Sequence, residues 1–597
     1  MTGGRSRGIW LAPVLALFPM VLAATDVRDL DVGFHVATGR AIDAAGEVPA
    51  TNVLSWSNPD EPWLLHQWIP AWILHRVDAS LGNPGLVGLK MALVFVMFSL
   101  LGAALLRRGG VIVAILGSVL AASTAFPRFL ERPLLFSAVG LAAFLLTLTR
   151  VPPAGASCRA WGPFLAVAAG IVAGTAVFHA GVVDLWVVAA AWVAGLAADV
   201  ALPGPAPDPA RRRRLGLAVS WLLATAAATA ALLSLVHPHG VQVLLLPFRF
   251  SSDAWFHEHL VEFRPPPFEP LLFPGLWATL ALGGAMLALD LVRRAWTRTL
   301  RGSQVFDALL FAAFAALALR HRRMALPFAL AGTFAVAPAA AGLLEGCGRW
   351  RRPVAAALLA AAALLAVGTV QLWRTHGSPG FGLHPSHPTR LLSFVRDQAL
   401  PEPSFVSDAW GGHWLREFYP ARRTFVDNRL EAYPPEFYKG VYQSIRYGEP
   451  GWDRKLADWG IRTVVLRYTT SGEALFLEER PSLRQLLLGN PAWRLVYWDD
   501  HGEIFVRRDA VPPGCAACAD TRHMDPDRME GHDLAGVAAD AGEILEKAGP
   551  SVRAFRARIA ALQALGDPAA GVVLEEARAL FPGHPDLEDL AVAPGSH

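Results

Sequence analysis

Long apolar runs separated by short polar connections occupy residues 1–375, and the pattern changes after that point. A membrane-spanning helix needs about 20 mainly apolar residues. Runs of this kind lie near 9–24, 85–106, 110–126, 133–149, 161–178, 181–200, 215–236, 270–292, 304–320, 324–344 and 353–373. Residues 376–597 hold shorter apolar runs and much of the charge. The pattern predicts a polytopic α-helical membrane protein with about eleven transmembrane helices, followed by a polar tail.

The composition excludes several other classes of protein. Of the 597 residues, 53% are hydrophobic and only 17% are charged, whereas a typical soluble domain has about 25% charged residues. These values exclude a single soluble globule and a disordered chain. The formal net charge of +3 gives no reason to expect a nucleic-acid partner, and four cysteines do not make a disulfide-rich module.

The arginines predict which connections face the cytoplasm, because cytoplasmic loops carry an excess of Lys and Arg. With the N-terminus inside and the first span uncleaved, every second connection is basic. These connections hold Arg107, Arg108, Arg150, Arg159, Arg211 to Arg214, Arg293, Arg294, Arg298, Arg301, Arg349, Arg351 and Arg352. An odd number of spans then places residues 376–597 outside the cytoplasm. The stretch from Arg320 to Arg323 falls on the outer side, so it is either a topology error or a functional basic cluster.

Polar residues collect in the expected outer connections, above all in the large first loop, 25–84. Asp29-Leu-Asp31 directly follows the first span. Two carboxylates at this spacing can share a divalent cation, or one of them can act as a general base. A helix that begins here would place Asp31 and His35 on one face. Charged groups at span ends indicate a site, although interfacial anchoring is the simpler explanation for any single one.

Residues 376–509 are expected to form an extracytoplasmic α/β domain. Strand patterns lie at 404–408, 423–427, 462–468, 493–498 and 503–508, and helical patterns lie at 387–399, 435–447 and 472–489. Their alternation predicts βαβ connections, and Asp499 to Gly502 predicts a hairpin turn. Asp427 and Arg429 belong either to the site or to a structural ion pair. We also expect residues 404–430 to pack over loop 25–84.

A linker, 510–532, precedes a short helical tail, 533–597. Cys515 and Cys518 predict a local disulfide, and a zinc site that includes His523 and His532 is the poorer alternative. The tail resembles one tetratricopeptide repeat through Leu562, Gly566, Asp567, Ala570, Leu574, Ala577 and Pro582. Because one repeat is too short to be stable alone, we expect it to pad the α/β domain or to present a surface to an envelope protein partner.

A series of short motifs runs over roughly residues 10–508. They are Asp29 to Gly39, Val48-Pro49, Asn52 to Ser55, His66 to Trp68, Glu131 to Ser137, Phe178 to Gly181, His237 to Gly240, Glu262-Phe263, Arg320 to Arg323, Trp410 to His413 and Thr424 to Arg429. In this order the motifs resemble bacterial polytopic proteins of the GT-C glycosyltransferase superfamily, which are membrane enzymes that use polyprenyl-phosphate-linked sugars. His237 and Asn428 depart from the pattern, which usually has Asn and Gly at these positions.

The resemblance implies a GT-C-like transmembrane domain in residues 1–375 and an inverting transfer of a sugar. An acidic residue of the first outer loop would serve catalysis, and this role falls on Asp29 or Asp31. The same two carboxylates are the candidate ligands of a divalent metal, Mg²⁺ or Mn²⁺. The lipid phosphate that leaves the sugar needs positive charge to stabilise it. The residues expected to bind substrate are His35, His66, Arg132, His179, His237, Glu262, Arg320, Arg322 and Arg323.

The predicted function is the transfer of a sugar from a polyprenyl-phosphate donor to an extracytoplasmic acceptor at the bacterial inner membrane. Its partners would be the lipid bilayer and the lipid-linked sugar. The alternative is a non-catalytic polytopic membrane protein whose tail binds a glycan, a lipid or an envelope protein. A transporter is a further alternative, although few charged residues lie in mid-membrane, where carriers bind their substrates.

Overall fold

The computed structural model describes residues 8–153, 155–202, 209–252, 261–267, 274–468, 482–518 and 533–590. The chain divides into two compact units. The first, the helical unit, consists of Met1–Asp29, Thr38–Ala50 and Leu64–His384. The second, the sheet unit, consists of Leu30–Ala37, Thr51–Trp63 and Pro385–His597.

Eight helices are long and apolar enough to cross a membrane, judged by length and composition within the described ranges. They are Trp68–Arg128, Arg159–Phe178, Ala180–Ala201, Pro209–Val236, Pro274–Trp296, Gly302–Arg320, Arg322–Gly346 and Gly348–His376. The other α-helices among the described residues before residue 377 are Ala12–Leu22, Val32–Ala45, Leu134–Leu148 and Leu246–Ser252. A mostly helical chain with several candidate membrane-spanning helices is therefore confirmed.

Every predicted transmembrane segment falls on a helix, apart from residues 270–273, which lie outside the described residues. Segments 85–106 and 110–126 share one helical run, in which Gly110 has a φ of +77°. Glycine adopts this φ without strain, so it lets the run kink between the two segments. Segments 9–24 and 133–149 coincide with helices of 11 and 15 residues, Ala12–Leu22 and Leu134–Leu148. The number of membrane crossings stays a prediction.

Aromatic rings and small side chains fill the interior of the helical unit. The ring of Trp221 stacks on Phe144 with 6.2 Å between centroids and meets Trp192 edge-on at 6.0 Å. Most of Ala325–Gly346 is buried, and many of its residues are alanines. Small residues let helix backbones approach one another closely. This packing fixes the helix ends at which the polar residues lie.

A four-stranded sheet forms the centre of the sheet unit. The strands are β1 Ser404–Val406, β2 Thr463–Arg467, β3 Trp493–Trp498 and β4 Gly502–Arg507, in the spatial order β1-β2-β4-β3. β1 pairs with β2 in parallel, with Phe405 opposite Val464, whereas β4 is antiparallel to both of its neighbours. The predicted βαβ connection and the hairpin between β3 and β4 are confirmed.

The helices of the sheet unit surround these strands. They are Thr389–Asp397, Asp408–Phe418, Pro435–Phe437, Ser444–Arg446, Trp452–Asp458, Leu483–Gly489, Leu534–Ala548, Val552–Leu565, Ala569–Leu580 and Pro585–Glu588, with a π-helix at Tyr438–Gln443. The part of the predicted helix 472–489 that precedes residue 482 lies outside the described residues. The tail helices contact the hairpin, because Asp500 accepts hydrogen bonds from the backbone N–H groups of Val552 and Arg553 at 3.1 and 2.8 Å.

The predicted strand at 423–427 is wrong. Only Thr424 makes a bridge, and its partner is Ser55 of the first loop rather than the sheet. The N–H of Thr424 donates to the Leu54 carbonyl at 3.1 Å, and the N–H of Trp56 donates to the Thr424 carbonyl at 3.0 Å. The β-branched and aromatic residues of this segment are buried against the loop. The same residue types are typical of strands, which is why the sequence resembled one. Thr424 thus contacts residues 54–56, which is one part of the packing expected between residues 404–430 and loop 25–84.

The predicted disulfide is present between Cys515 and Cys518. His523 and His532, the histidines of the alternative zinc site, lie outside the described residues. Cys515 also contacts the side-chain oxygen of Gln398 at 3.3 Å. The disulfide therefore closes a short turn of the sheet unit, and this turn lies against Gln398.

Candidate functional site

Asp29, which is buried, and Arg132, which is half-buried, form an ion pair in the helical unit. Asp29 follows the helix Ala12–Leu22, and Arg132 precedes the helix Leu134–Leu148. The guanidinium donates from Nε to one carboxylate oxygen at 2.5 Å and from Nη2 to the other at 2.8 Å. Asp29 is only 3% exposed. A two-point contact of this kind fixes both side chains in one relative orientation.

Glu262 extends the pair into a cluster. Its carboxylate accepts hydrogen bonds from Arg132 and from Arg128, the latter at 3.0 Å. Burial favours a neutral Glu262, but the charges of Arg132 and Arg128 prevail and lower its pKa well below the usual range. Glu262 is therefore an anion that bridges two arginines. We refer to Asp29, Arg128, Arg132 and Glu262 as the arginine–carboxylate cluster.

The short segment that carries Glu262 is fixed by the predicted basic stretch 320–323. The His321 ring nitrogen Nδ1 donates to the Phe263 carbonyl at 2.8 Å, and the N–H of Arg322 donates to the Arg264 carbonyl at 3.0 Å. The guanidinium of Arg323 lies over the Phe263 ring, 4.7 Å from its centroid. The stretch thus holds the segment in which Glu262 contacts Arg128 and Arg132.

The arginines of this stretch have different environments. Arg323 is close enough to Glu262 for its charge to contribute to the lowered pKa of that carboxyl. Arg320 is exposed at the end of the helix Gly302–Arg320. Of the three arginines that the sequence nominates here, Arg322 and Arg323 both lie close enough to Glu262 and Arg128 to interact with their charges.

A second buried ion pair lies beside the cluster. Lys90 donates to Glu131 at 2.5 Å, and both side chains are fully buried. The same ammonium group donates to the backbone carbonyl and the hydroxyl of Thr25 at 2.9 and 2.7 Å. Sequence reasoning missed Lys90, because it lies within the predicted span 85–106. One signal was available, since Lys90 is the only lysine in residues 1–438.

The predicted histidines bind backbone groups. His237 contacts the Leu65 carbonyl through Nε2 at 2.9 Å, and His239 contacts the Ala50 carbonyl through Nε2 at 2.9 Å. His179 accepts a hydrogen bond at Nδ1 from the N–H of Gly181 at 2.9 Å. The rings of His66 and His179 lie 5.3 Å apart. These histidines therefore order the turns on which the predicted motifs lie.

Asp31 and His35 belong to the sheet unit, within the segment 30–37. Asp31 accepts a hydrogen bond from the side-chain amide of Asn428 at 3.1 Å. The N–H of His35 donates to the Asp31 carbonyl at 3.3 Å, as in the first turn of a helix. Asn428, one of the two departures from the motif pattern, is thus a neighbour of the second candidate carboxylate.

Asp427 and Arg429 form a structural ion pair in the sheet unit. The guanidinium donates to both carboxylate oxygens at 2.8 and 2.6 Å, and both side chains are fully buried. Asp427 also accepts a hydrogen bond from the Tyr433 hydroxyl at 2.8 Å, and Arg429 lies over the Trp63 ring at 4.4 Å. Of the two roles that the sequence left open, these contacts support the structural one.

Metal ligands are not grouped in the parts of the chain that the structure describes. No group of three or more His, Cys, Asp or Glu side chains there could hold a metal ion. Both oxygens of Asp29 bind the guanidinium of Arg132 instead. Because a guanidinium already supplies the positive charge at Asp29, we derive no step through a metal.

Solved structures of two membrane proteins resemble this chain over most of its length. The oligosaccharyltransferase AglB from Archaeoglobus fulgidus, in complex with an inhibitory peptide and a dolichol-phosphate, is 12% identical with a TM-score of 0.54, over 85% of this chain and 75% of AglB. The complex of that enzyme with Zn and sulfate is 11% identical with a TM-score of 0.53, over 97% and 86%. ArnT from Cupriavidus metallidurans, in the apo state, is 13% identical with a TM-score of 0.50, over 85% and 99%.

These similarities concern the fold. No family model matches the chain, and no curated protein matches it. At identities of 11–13%, the solved structures carry information about the arrangement of the chain alone. The protein therefore has the fold that AglB and ArnT share.

Proposed function

We propose that the chain is an integral-membrane glycosyltransferase that moves a sugar from a polyprenyl-phosphate donor to an extracytoplasmic acceptor. Two findings support this proposal. The fold is shared with AglB, which has been solved with a dolichol-phosphate, and with ArnT. The observation that carries the proposal is the arginine–carboxylate cluster, in which Asp29 and Glu262 are held by Arg132 and Arg128.

The cluster has the charges that sugar transfer from a lipid phosphate requires. As the bond between the anomeric carbon and the phosphate oxygen breaks, the electron pair stays on the phosphate, which becomes more negative. Arginines stabilise this charge because their planar donors match phosphate oxygens. Arg128, Arg132 and Arg323 are our candidates for this role, and Glu262 is the anion that Arg128 and Arg132 hold in the structure described here.

The acceptor must lose a proton as it attacks. Its oxygen forms a bond to the anomeric carbon on the face opposite the phosphate, so the configuration is inverted, and a carboxylate takes the proton. Asp29 and Asp31 are our two candidates for this general base. Asp29 is held by Arg132, whereas Asp31 is half-buried and accepts a hydrogen bond from the neutral amide of Asn428. A divalent metal, Mg²⁺ or Mn²⁺, remains a separate hypothesis that chelation by EDTA tests.

We place this activity at a bacterial inner membrane, with the N-terminus in the cytoplasm and the sheet unit outside. The positive-inside arrangement of the arginines supports this orientation. The tail helices of residues 533–590 are our candidate surface for an envelope protein partner.

The test replaces each candidate carboxylate by its amide in the full-length protein. Asp29→Asn and Asp31→Asn both keep a hydrogen-bond acceptor but cannot take up a proton. We expect the variant of the true base to fold normally and to lose activity by about 10²-fold or more. The measurement is the pool of polyprenyl-phosphate sugars, by mass spectrometry, in cells whose chromosomal copy is deleted and which express each variant.

Asp26→Asn is the matched control, because Asp26 lies in the same segment and accepts a hydrogen bond from the N–H of Gly382 at 2.8 Å. An amide oxygen can make the same contact, so this variant should turn over the pool like the unmodified protein. If the Asp29 and Asp31 variants are both folded and fully complement the deletion, the glycosyltransferase proposal is wrong. The non-catalytic function, in which the tail binds a glycan, a lipid or an envelope protein, would then replace it.

A further inference from the structure

Lys90 lies between two of the three chain segments that form the arginine–carboxylate cluster, the one that carries Asp29 and the one that carries Arg132. Its ammonium group binds Thr25, four residues before Asp29, and Glu131, the immediate neighbour of Arg132. Asp29 and Arg132 in turn bind each other. The contacts therefore form a closed ring, which runs from Lys90 through Thr25 to Asp29, across to Arg132, and back through Glu131.

The geometry of the ring requires a lysine. An ammonium group has three donors, and those of Lys90 meet three acceptors: the Thr25 carbonyl, the Thr25 hydroxyl and a Glu131 oxygen. An arginine would present a planar fork, which does not match acceptors that surround one point. Between residues 1 and 438, Lys90 is the only lysine, and all the other Lys or Arg positions hold arginine. The lysine at position 90 therefore differs from the residue that the chain uses elsewhere.

Anchoring at a membrane surface does not account for Lys90. An anchoring lysine extends its charged end toward the interface, but Lys90 is 1% exposed and its side chain is fully buried. A net gain in stability does not account for the pair either, because replacing a buried ion pair by apolar residues is often neutral or stabilising. Ionisable residues within membrane-spanning helices instead indicate function by default.

We infer that Lys90 is a positioning residue that sets the relative orientation of Asp29 and Arg132. This inference rests on the proposed glycosyltransferase function for its activity readout. Lys90 holds Thr25 and Glu131 together, and each is attached through a few backbone bonds to one partner of the Asp29–Arg132 pair. Reacting groups must be held within fractions of an ångström, so a small displacement of such a pair reduces the rate strongly.

The test compares three variants of the full-length protein. Thr25→Val removes one hydroxyl and keeps the shape of the side chain, so it should fold and turn over the lipid-linked sugar pool about 3- to 10-fold more slowly. Thr25→Ser restores the hydroxyl and should restore turnover. The double variant Lys90→Met/Glu131→Gln removes both buried charges together. It should melt near the temperature of the unmodified protein and still lose about 10²-fold in turnover.

The control is Asp307→Asn, which breaks a comparable ion pair elsewhere in the helical unit. Arg108 donates to both oxygens of Asp307 at 2.6 and 2.7 Å, away from the ring. This variant should lower the melting temperature and leave turnover per folded molecule unchanged. A purely structural Lys90 would instead give turnover that follows melting temperature in every variant, and that result would overturn the inference.

A structural measurement decides the inference without any assay of transfer. Cryo-EM of the double variant in lipid nanodiscs should show the Asp29–Arg132 contact broken. An intact contact would overturn the positioning role, whatever the activity. If the unmodified protein leaves every lipid-linked sugar pool unchanged, the proposed function fails, and the cryo-EM result alone decides the role of Lys90.

Discussion

Backbone contacts fix the protonation of the histidines in the helical unit. The N–H of His239 donates to Nδ1 of His237 at 3.1 Å, so the proton of this ring is on Nε2, which donates to the Leu65 carbonyl. His179 likewise accepts at Nδ1 from Gly181. Burial lowers the pKa of His237, which keeps the ring neutral. Neutral rings suit the ordering of turns and do not add charge beside the arginines.

His66 should make the stability of the helical unit depend on pH. Burial, helped by the nearby charges of Arg323 and His237, lowers its pKa to about 4, below the unfolded value of about 6.5. The unfolded chain therefore binds more protons than the folded one between these values. Stability should fall as the pH drops through 6.5 toward 4, by at most about 1.4 kcal/mol per pH unit from this residue.

The measurement is the apparent melting temperature of purified protein between pH 7.5 and pH 5. His66→Asn should reduce the loss of stability on acidification. His376→Asn, at an exposed position in the same unit, should leave the pH dependence as it is. An unchanged pH dependence in His66→Asn would contradict the assignment.

At the scale of elements, the segment 30–37 and the helix Asp408–Phe418 of the sheet unit meet through glycines. A Cβ atom on Gly33 would lie 2.0 Å from the Gly412 carbonyl oxygen, and one on Gly412 would lie 2.2 Å from that of Leu30. Both distances are far inside van der Waals contact, and the obstructing atoms belong to the backbone. The segment 30–37, which carries Asp31, is held against the helix Asp408–Phe418 by this contact.

Gly412→Ala should therefore destabilise the sheet unit by about 1–3 kcal/mol through overpacking. The measurement is thermal unfolding of the full-length protein. Gly440→Ala is the control, because a Cβ at that helical position would meet no atom within 4 Å. Alanine favours helix over glycine, so the control should melt at the same temperature or slightly higher. Equal melting of Gly412→Ala and the unmodified protein would refute the close contact.

Local patterns predicted most helices and the β3–β4 hairpin, because their signals lie within a few consecutive residues. Contacts between distant parts of the sequence were less visible. The strand expected at 423–427 has the right residue types, yet its bridge partner, Ser55, lies hundreds of residues earlier. Lys90 was hidden for the same reason, since its contacts with Thr25 and Glu131 join three separate segments. Of the residues expected at the site, Arg132 contacts Asp29 and Glu262 contacts Arg132, and their role in binding substrate stays a prediction.

At the scale of the whole molecule, the fold is retained at very low sequence identity to AglB and ArnT. The fold depends on apolar helices of the right length, and many sequences satisfy that requirement. Under the proposed function, the identity of the sugar would depend instead on a few side chains around the cluster. This difference explains why the architecture could be expected from motif order, whereas the substrate must be measured.

The orientation of the chain in the membrane is the prediction that belongs to the scale of the whole molecule. A reporter that is active only outside the cytoplasm should be active when fused after residue 380 and silent when fused after Arg214, because basic connections remain inside. A reporter that is active only in the cytoplasm should give the opposite pattern at the same two positions. A reversal of both patterns would overturn the orientation and the extracytoplasmic site with it.

The rarity of lysine has a consequence for chemical probing of this protein. The three lysines besides Lys90 are Lys439, Lys455 and Lys547, and all three belong to the sheet unit. Lys90 is enclosed by its three acceptors and does not meet solvent. Amine-directed cross-linkers and labels applied to the folded protein therefore react, among its lysines, with the sheet unit alone. A cross-link to another protein through a lysine identifies a partner of that unit, and mapping the helical unit calls for reagents that attack arginine or carboxyl groups.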